Sequence, residues 1–194
     1  MKNLLALFSI LVLSACTKND ATPQDQLPPA TTIGANTAGC YINGELLVPK
    51  NGSQAIGGSP NYGLTTGAGI NFHPPIIGDD YKYFWIKNLK DIGGEDLYIH
   101  INNMTQGIGD YIIGQSNNEK YSYGPNNPQI IAKIMSKTYL SSSNSGLIKV
   151  TRFDYTNGIY SGIFHCTLYN MENPSEKIQI TDGRFDIGVA TLNH

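Results

Sequence analysis

The chain has 194 residues, with 13 Lys and Arg against 15 Asp and Glu, a formal net charge of −2 and only 14% charged residues. No run of Lys or Arg supplies the clustered basic face that phosphate neutralisation needs, which argues against nucleic acid as a partner. Its 21 Gly and 12 Tyr, with few Ala or Leu after Cys16, favour strands and turns over helices.

The first element is a targeting segment. Lys2 is a charged start, Leu4 to Leu13 an apolar run, and Leu13-Ser14-Ala15-Cys16 a lipobox. About ten apolar residues are too few to span a bilayer as a helix, which takes roughly 20. Residues 1–15 therefore read as a cleaved lipoprotein signal peptide and Cys16 as the lipidated residue, the membrane being the first partner. Several acyl chains on one residue anchor stably where a single chain would not. Thr17 stands where an Asp would favour retention at the inner membrane, so the outer membrane is the expected location. Residues 16–36 are rich in Pro, Thr and Asn and poor in large apolar side chains, a composition that cannot offset the entropy of ordering and reads as a flexible tether.

The remainder, 37–194, reads as a single β-rich domain. Asn43-Gly44, flanked by Cys40 to Ile42 and Glu45 to Val48, is a strong hairpin signal because both turn residues tolerate positive φ. Asn51 to Gly67 reads as a loop, and Ala68 to His73 as a strand stopped by Pro74-Pro75. Tyr81 to Asn88 carries bulk on both faces and fits a central sandwich strand. Leu97, Ile99 and Ile101 alternate with Tyr98, His100 and Asn102, the pattern of a sheet with one wet face. Short strands follow at Gly109 to Gly114, Ile130 to Met135 and Thr138 to Ser141. Leu147 to Phe153, Ile159 to Tyr169 and Ile178 to Val189 then make a meander. Ser161-Gly162 suggests a bulge or a close backbone approach, and Asp182-Gly183 a bend or bulge. The fold expected is all-β, an antiparallel β-sandwich or open barrel of about nine strands.

Several segments carry a family resemblance. With the lipobox come Leu27-Pro28-Pro29-Ala30-Thr31, Gly34-Ala35-Asn36-Thr37, Gly39-Cys40 and Asn43-Gly44. Near the other end are Ile148 to Asp154, Ser161 to Phe164 and Ile180-Thr181-Asp182-Gly183-Arg184-Phe185-Asp186. Together they resemble a family of small Bacteroidetes cell-envelope lipoproteins with a domain of unknown function. The resemblance covers both ends of the mature chain, is patchy between Asn51 and Thr138, implies an all-β envelope lipoprotein, and transfers no catalytic residue.

With Cys16 acylated, Cys40 and Cys166 form an even pair in an oxidising compartment and are disulfide candidates, two buried thiols being the alternative. No GxSxG, HExxH, P-loop or GxGxxG signature is present, so no catalytic residue and no cofactor is assigned. His73, His100, His165 and His194 are far apart in sequence, although His100 and His165 would meet if their strands faced each other. No metal ligand set is assigned. Asp79-Asp80 and Asp91 to Asp96 fall in turns and lack the ligand spacing of a calcium loop.

The aromatics are the remaining lead. Tyr81, Tyr83 and Trp85 share one strand face. Burial is the simpler account of Trp85, which sits in the most apolar strand. Tyr121 and Tyr123, among Asn117, Asn118, Asn126 and Asn127, are better placed for exposed contacts. Tyr121, Tyr123 and Trp85 are the ligand-contact candidates. The function expected is a membrane-tethered, non-catalytic β-domain of the cell envelope that binds a ligand or partner of unknown specificity, whether glycan, peptide or another envelope protein. The alternative is a small envelope hydrolase, acting on glycan or peptide, whose carboxylates are assembled in space.

Overall fold

The computed structural model describes residues 25–53, 60–73, 80–90 and 94–194. The lipobox, Cys16 and the first part of the tether lie outside these residues, as do Asp79, Asp91 and Gly93. The ten strands are β1 (Thr37–Ile42), β2 (Glu45–Leu47), β3 (Leu64–Ala68), β4 (Tyr81–Asn88), β5 (Glu95–Asn102), β6 (Gly109–Ile112), β7 (Gln129–Ile134), β8 (Lys137–Asp154), β9 (Ile159–Asn170) and β10 (Lys177–Gly188). They form one antiparallel sheet in the order β2-β1-β10-β9-β8-β7-β5-β4-β3, with β6 alongside on β8. The sheet curls into a half-barrel, so the all-β open barrel expected from the sequence is the fold.

Local chemistry explains most of the corners. Asn43 and Gly44 take φ of 50° and 87°, the pair of positive values a tight hairpin requires, and join β1 to β2. Asp182, at φ 52°, sits in the register shift between Ile180 and Gly183, the bulge expected at Asp182-Gly183. Ser161-Gly162 is a close approach: a Cβ on Gly162 would lie 2.6 Å from the Phe185 ring directly opposite. Gly183 repeats the arrangement, with its missing Cβ 2.4 Å from the ring of Phe164.

Curling brings distant strands together across the interior. Phe84 of β4 stacks on Phe185 of β10 at 4.3 Å between ring centres. Beyond the start of β3, Lys50 takes a place beside β4, donating its N–H to the Lys87 carbonyl at 3.0 Å and accepting from Leu89 N–H at 3.0 Å. The C-terminal tail helps at the same seam, where Asn193 Nδ2 donates to the Leu64 carbonyl at 2.8 Å.

Most strand ends fall within two residues of the sequence reading, and three differences are larger. The strand expected at Ala68 to His73 begins earlier, at Leu64, and ends at Ala68, because Gly69 to Asn71 turn away. Thr138 to Ser141 and Leu147 to Phe153 belong to one strand, β8, bent where its register shifts between Ser141 and Gly146. The third difference lies in the tether. From Thr31 onward it is held to the domain, since the buried Asp186 carboxylate accepts from Thr31 Oγ1 at 2.6 Å, from the N–H groups of Ile33, Gly34 and Ala35 at 3.1, 2.8 and 3.1 Å, and from Ser161 Oγ at 2.7 Å. Burial alone would raise the Asp186 pKa; the hydrogen bonds from Thr31, Ser161, Ala35 and Gly34 outweigh it and hold the carboxyl below its usual range.

Candidate functional site

On β4, strict alternation buries Lys82, Phe84, Ile86 and Asn88 and leaves Tyr81, Tyr83, Trp85 and Lys87 half-buried on the outer face. Trp85 is therefore not in the core. It shares the parity of the tyrosines, and the interior is filled by Phe84 and Ile86, both fully buried. Nor is β4 a central sandwich strand: it lies next to the edge strand β3.

The neighbouring strands decide how the outer rings lie. Gly67 is directly opposite Tyr83, and a Cβ there would fall 2.5 Å from the tyrosine ring. At Gly69, beside Tyr81, the corresponding distance is 2.8 Å. Without those side chains the two rings settle over β3. Against β5, Tyr81 stacks on His100 at 4.9 Å and 18°, and Tyr83 on Tyr98 at 5.4 Å and 28°.

The outer face of β5, expected to be wet, is covered: Tyr98 is fully buried and His100 is 2% exposed. The cover is the segment between β6 and β7. Tyr121 donates its N–H to Tyr98 Oη at 2.8 Å, Gln129 Nε2 donates to the Glu119 carbonyl at 2.7 Å, and Ser116 Oγ donates to Gln129 Oε1. Gly124 rests on the imidazole, where a Cβ would lie 3.0 Å from His100 Cε1. Tyr121 takes φ of 58°, a left-handed conformation that is strained for a bulky side chain, at a cost of order 1 kcal/mol or more. Its ring meets Tyr83 edge-on at 5.2 Å.

Between this segment and the turn after β3 lies a cleft of about 440 Å³, within the range of small-ligand sites. Its floor is Tyr81, His100 and Asn102. One wall is Gly69 to Asn71, and the other includes Tyr121, Ser122 and Gly124 to Asn126. Of the three ligand-contact candidates, Tyr121 lines the cleft, Trp85 lies further along β4, and Tyr123 stands outside the lining, 74% exposed. His100, Asn102, Asn71 and Tyr81 were not singled out as contacts by the sequence. The outward alternation of β5 and the glycines of β3 were the available signals.

The electrostatics of the cleft are those of neutral groups. Burial pushes His100 down to about 4, so its imidazole is uncharged at neutral pH, and its buried Nδ1 has no hydrogen-bond partner. Burial, and then the neighbouring Tyr121, push Tyr81 and Tyr83 up, so both keep their hydroxyl protons. Among the described residues the lining contains no carboxylate and no thiol. What it offers is flat ring surface together with amide, hydroxyl and imidazole groups.

The other sequence candidates lie elsewhere. His165 is exposed on β9, away from His100 on β5, so the two do not meet. Asp80 is buried, and its Oδ2 accepts from Thr105 N–H at 3.2 Å and Thr105 Oγ1 at 2.6 Å, tying down the turn at Met104–Gln106. Among the described residues no group of three or more His, Cys, Asp or Glu is placed to hold a metal ion. Cys40 and Cys166 are free, buried thiols rather than a bridge. β10 separates their strands, and two strand spacings, about 9.5 Å, exceed the reach of a disulfide. Burial pushes the Cys40 thiol up to about 12 and also raises that of Cys166. Comparison with family models, curated proteins and solved structures finds no match for this chain.

Proposed function

We propose that this protein is a lipid-anchored protein of the cell envelope whose half-barrel binds a carbohydrate in the cleft between the turn after β3 and the segment before β7. The observation that carries this reading is the composition of the cleft: the tyrosine rings of Tyr81 and Tyr121 beside the neutral imidazole of His100 and the amides of Asn71, Asn102 and Asn126. Sugar rings present apolar C–H faces that stack on aromatic side chains, and a rim of hydroxyls that neutral amides and imidazole bond. Among the described residues the lining carries no formal charge, which suits such a ligand, and the imidazole of His100 is neutral there. The hydrolase alternative gains no support from this cleft, whose lining among the described residues holds no pair of carboxyl groups of the kind glycosidases use. The lipid anchor at Cys16, the outer-membrane location and the likeness to Bacteroidetes envelope lipoproteins belong to the same proposal and rest on the lipobox.

Isothermal titration of the mature domain with oligosaccharides selected on a glycan array tests the binding. Tyr81→Ala and Tyr121→Ala are each expected to weaken it at least tenfold while the melting temperature moves little for Tyr121→Ala. Failure of any glycan to bind, or full affinity in both variants, overturns the reading. Labelling with a radioactive fatty acid tests the anchor, with incorporation expected in the natural chain and lost in Cys16→Ala.

A further inference from the structure

The outer row of β4 continues past the cleft to a group of lysines. Lys87 Nζ stands 4.7 Å and Lys120 Nζ 4.0 Å from the centre of the Trp85 ring, and Lys120 is also 5.3 Å from that of Tyr98. The strand register sets Asp96 of β5 between Lys87 of β4 and Lys133 of β7. Among the described residues neither Lys87 nor Lys120 forms an ion pair. Among the described residues three ammonium groups thus flank one carboxylate, whose buried Oδ1 accepts no hydrogen bond, a local positive excess in a chain whose net charge is −2. The nearby Glu119 is exposed and accepts from Asn117 Nδ2 at 2.8 Å.

These lysines are not ordinary solvated side chains. Desolvation pushes both Lys87 and Lys120 down, against the pull of Asp96. Among the described residues the buried indole Nε1 of Trp85 has no acceptor. Partly desolvated ammonium groups gathered on one indole ring, with a single carboxylate between them among the described residues, form a site that an anion would complete. A neutral hydroxyl would leave the charges uncompensated. The site lies on the same outer row as the cleft floor, because Tyr81, Tyr83 and Trp85 are successive outward residues of one strand, although only Tyr81 of the three lines the cleft. Tyr81 and Trp85 lie about 13 Å apart, long enough for more than one sugar ring.

Resting on the carbohydrate reading above, we infer that the ligand is an acidic saccharide, its carboxylate or sulfate group taken by Lys87 and Lys120 at Trp85 while its rings run along Tyr83 to Tyr81. The acid group gains two charge-assisted contacts in a partly desolvated setting, where added salt screens less than in open water. Lys133, exposed at the rim, adds attraction at longer range.

The test uses the mature protein on an array that pairs each uronate oligosaccharide with its methyl ester and each sulfated oligosaccharide with its desulfated form. Titration of the members that bind follows. The acidic member of at least one pair should bind tenfold or more tightly than its neutral counterpart, and the uronate and sulfate arms distinguish the two sources of charge. Lys87→Gln combined with Lys120→Gln should abolish that preference. Lys120→Arg, which keeps the charge, should retain it, and thermal melts check that all variants fold. Equal binding within every pair, or a preference that survives in the double variant, overturns the acidic ligand and leaves the carbohydrate reading standing. If no member of any pair binds, the acidic ligand falls, and binding of any other neutral oligosaccharide on the glycan array decides whether the carbohydrate reading stands.

Discussion

Two regions of the sheet use one device for opposite ends. In β9 and β10, Gly162 and Gly183 make room for the rings of Phe185 and Phe164, which point into the half-barrel and are 2% exposed. In β3 and the turn after it, Gly67 and Gly69 make room for Tyr83 and Tyr81 on the outer face, where the rings stay half-buried. A cross-strand aromatic laid over glycine restores the packing that the missing side chain gives up. Inside the barrel that is the whole of its role. Outside, the same arrangement leaves ring surface at the floor of a cleft, next to polar groups that packing does not use. Position relative to the core, rather than the pair itself, separates structure from site.

The sharpest way to break the comparison is to fill the glycines. Gly183→Val drives a side chain into the buried Phe164 ring and should cost about 3 kcal/mol, read as a shift in the urea midpoint. A loss below about 0.5 kcal/mol, the usual range for surface positions, would mean that the inner pair is not tightly packed.

Acid should separate the two regions next. Folded His100 stays unprotonated to about pH 4, whereas unfolded His takes up its proton near 6.5. Its contribution is therefore complete above pH 6.5 and is lost as the pH falls toward 4, by on the order of 3 kcal/mol. His100→Gln should flatten that stretch of the stability profile, and an unchanged profile would remove His100 as its source.

Lys82 is the exception on the inner face. It is 4% exposed, has no ion pair among the described residues, and lies over Tyr160 at 4.7 Å and Phe72 at 5.4 Å. Desolvation lowers its pKa to about 8. Lys82→Met keeps the shape and removes the buried charge, so it should raise stability by about 1 to 2 kcal/mol. A loss of stability would show that the ring contacts outweigh desolvation.

Gly67→Val should be milder still in stability, about 1 kcal/mol, because the Tyr83 ring has solvent to move into, yet it should weaken ligand binding at least tenfold. Equal losses in Gly67→Val and Gly183→Val would erase the distinction between the regions. The smallest expected effect is that of reductant, which should leave the melting temperature unchanged, with two free thiols titrated in the unreduced, denatured domain once Cys16 is acylated.

What could be read from the sequence depended on how local its cause was. Asn43-Gly44 and Asp182-Gly183 were legible because positive φ is a property of the turn residues themselves. The inward side of β5 was legible from the alternation of Leu97, Ile99 and Ile101. Its outer side was not, because Tyr98 and His100 are covered by a polar segment with no hydrophobic period, held by hydrogen bonds to residues 10 to 23 positions away. Trp85 was drawn toward the core by its size, although its parity with Tyr81 and Tyr83 pointed outward. Tyr121 could be picked out, but the cleft it lines could not, since the floor comes from β4 and β5. The end of the tether was hidden for the same reason: Asp186 lies 151 to 155 positions from the residues it holds.

That carboxylate also determines how the domain would bear a mechanical load. A pull on the N-terminal segment would be met first at Thr31 to Ala35, where a single anchored side chain divides the tension among several bonds and hands it to β10, in the middle of the β1-β10-β9 region, instead of peeling β1 from its free end. The point of attachment is thus a buckle sewn into the fabric of the sheet, and a load on the N-terminal segment would enter the domain through it without first unravelling the strand next to it.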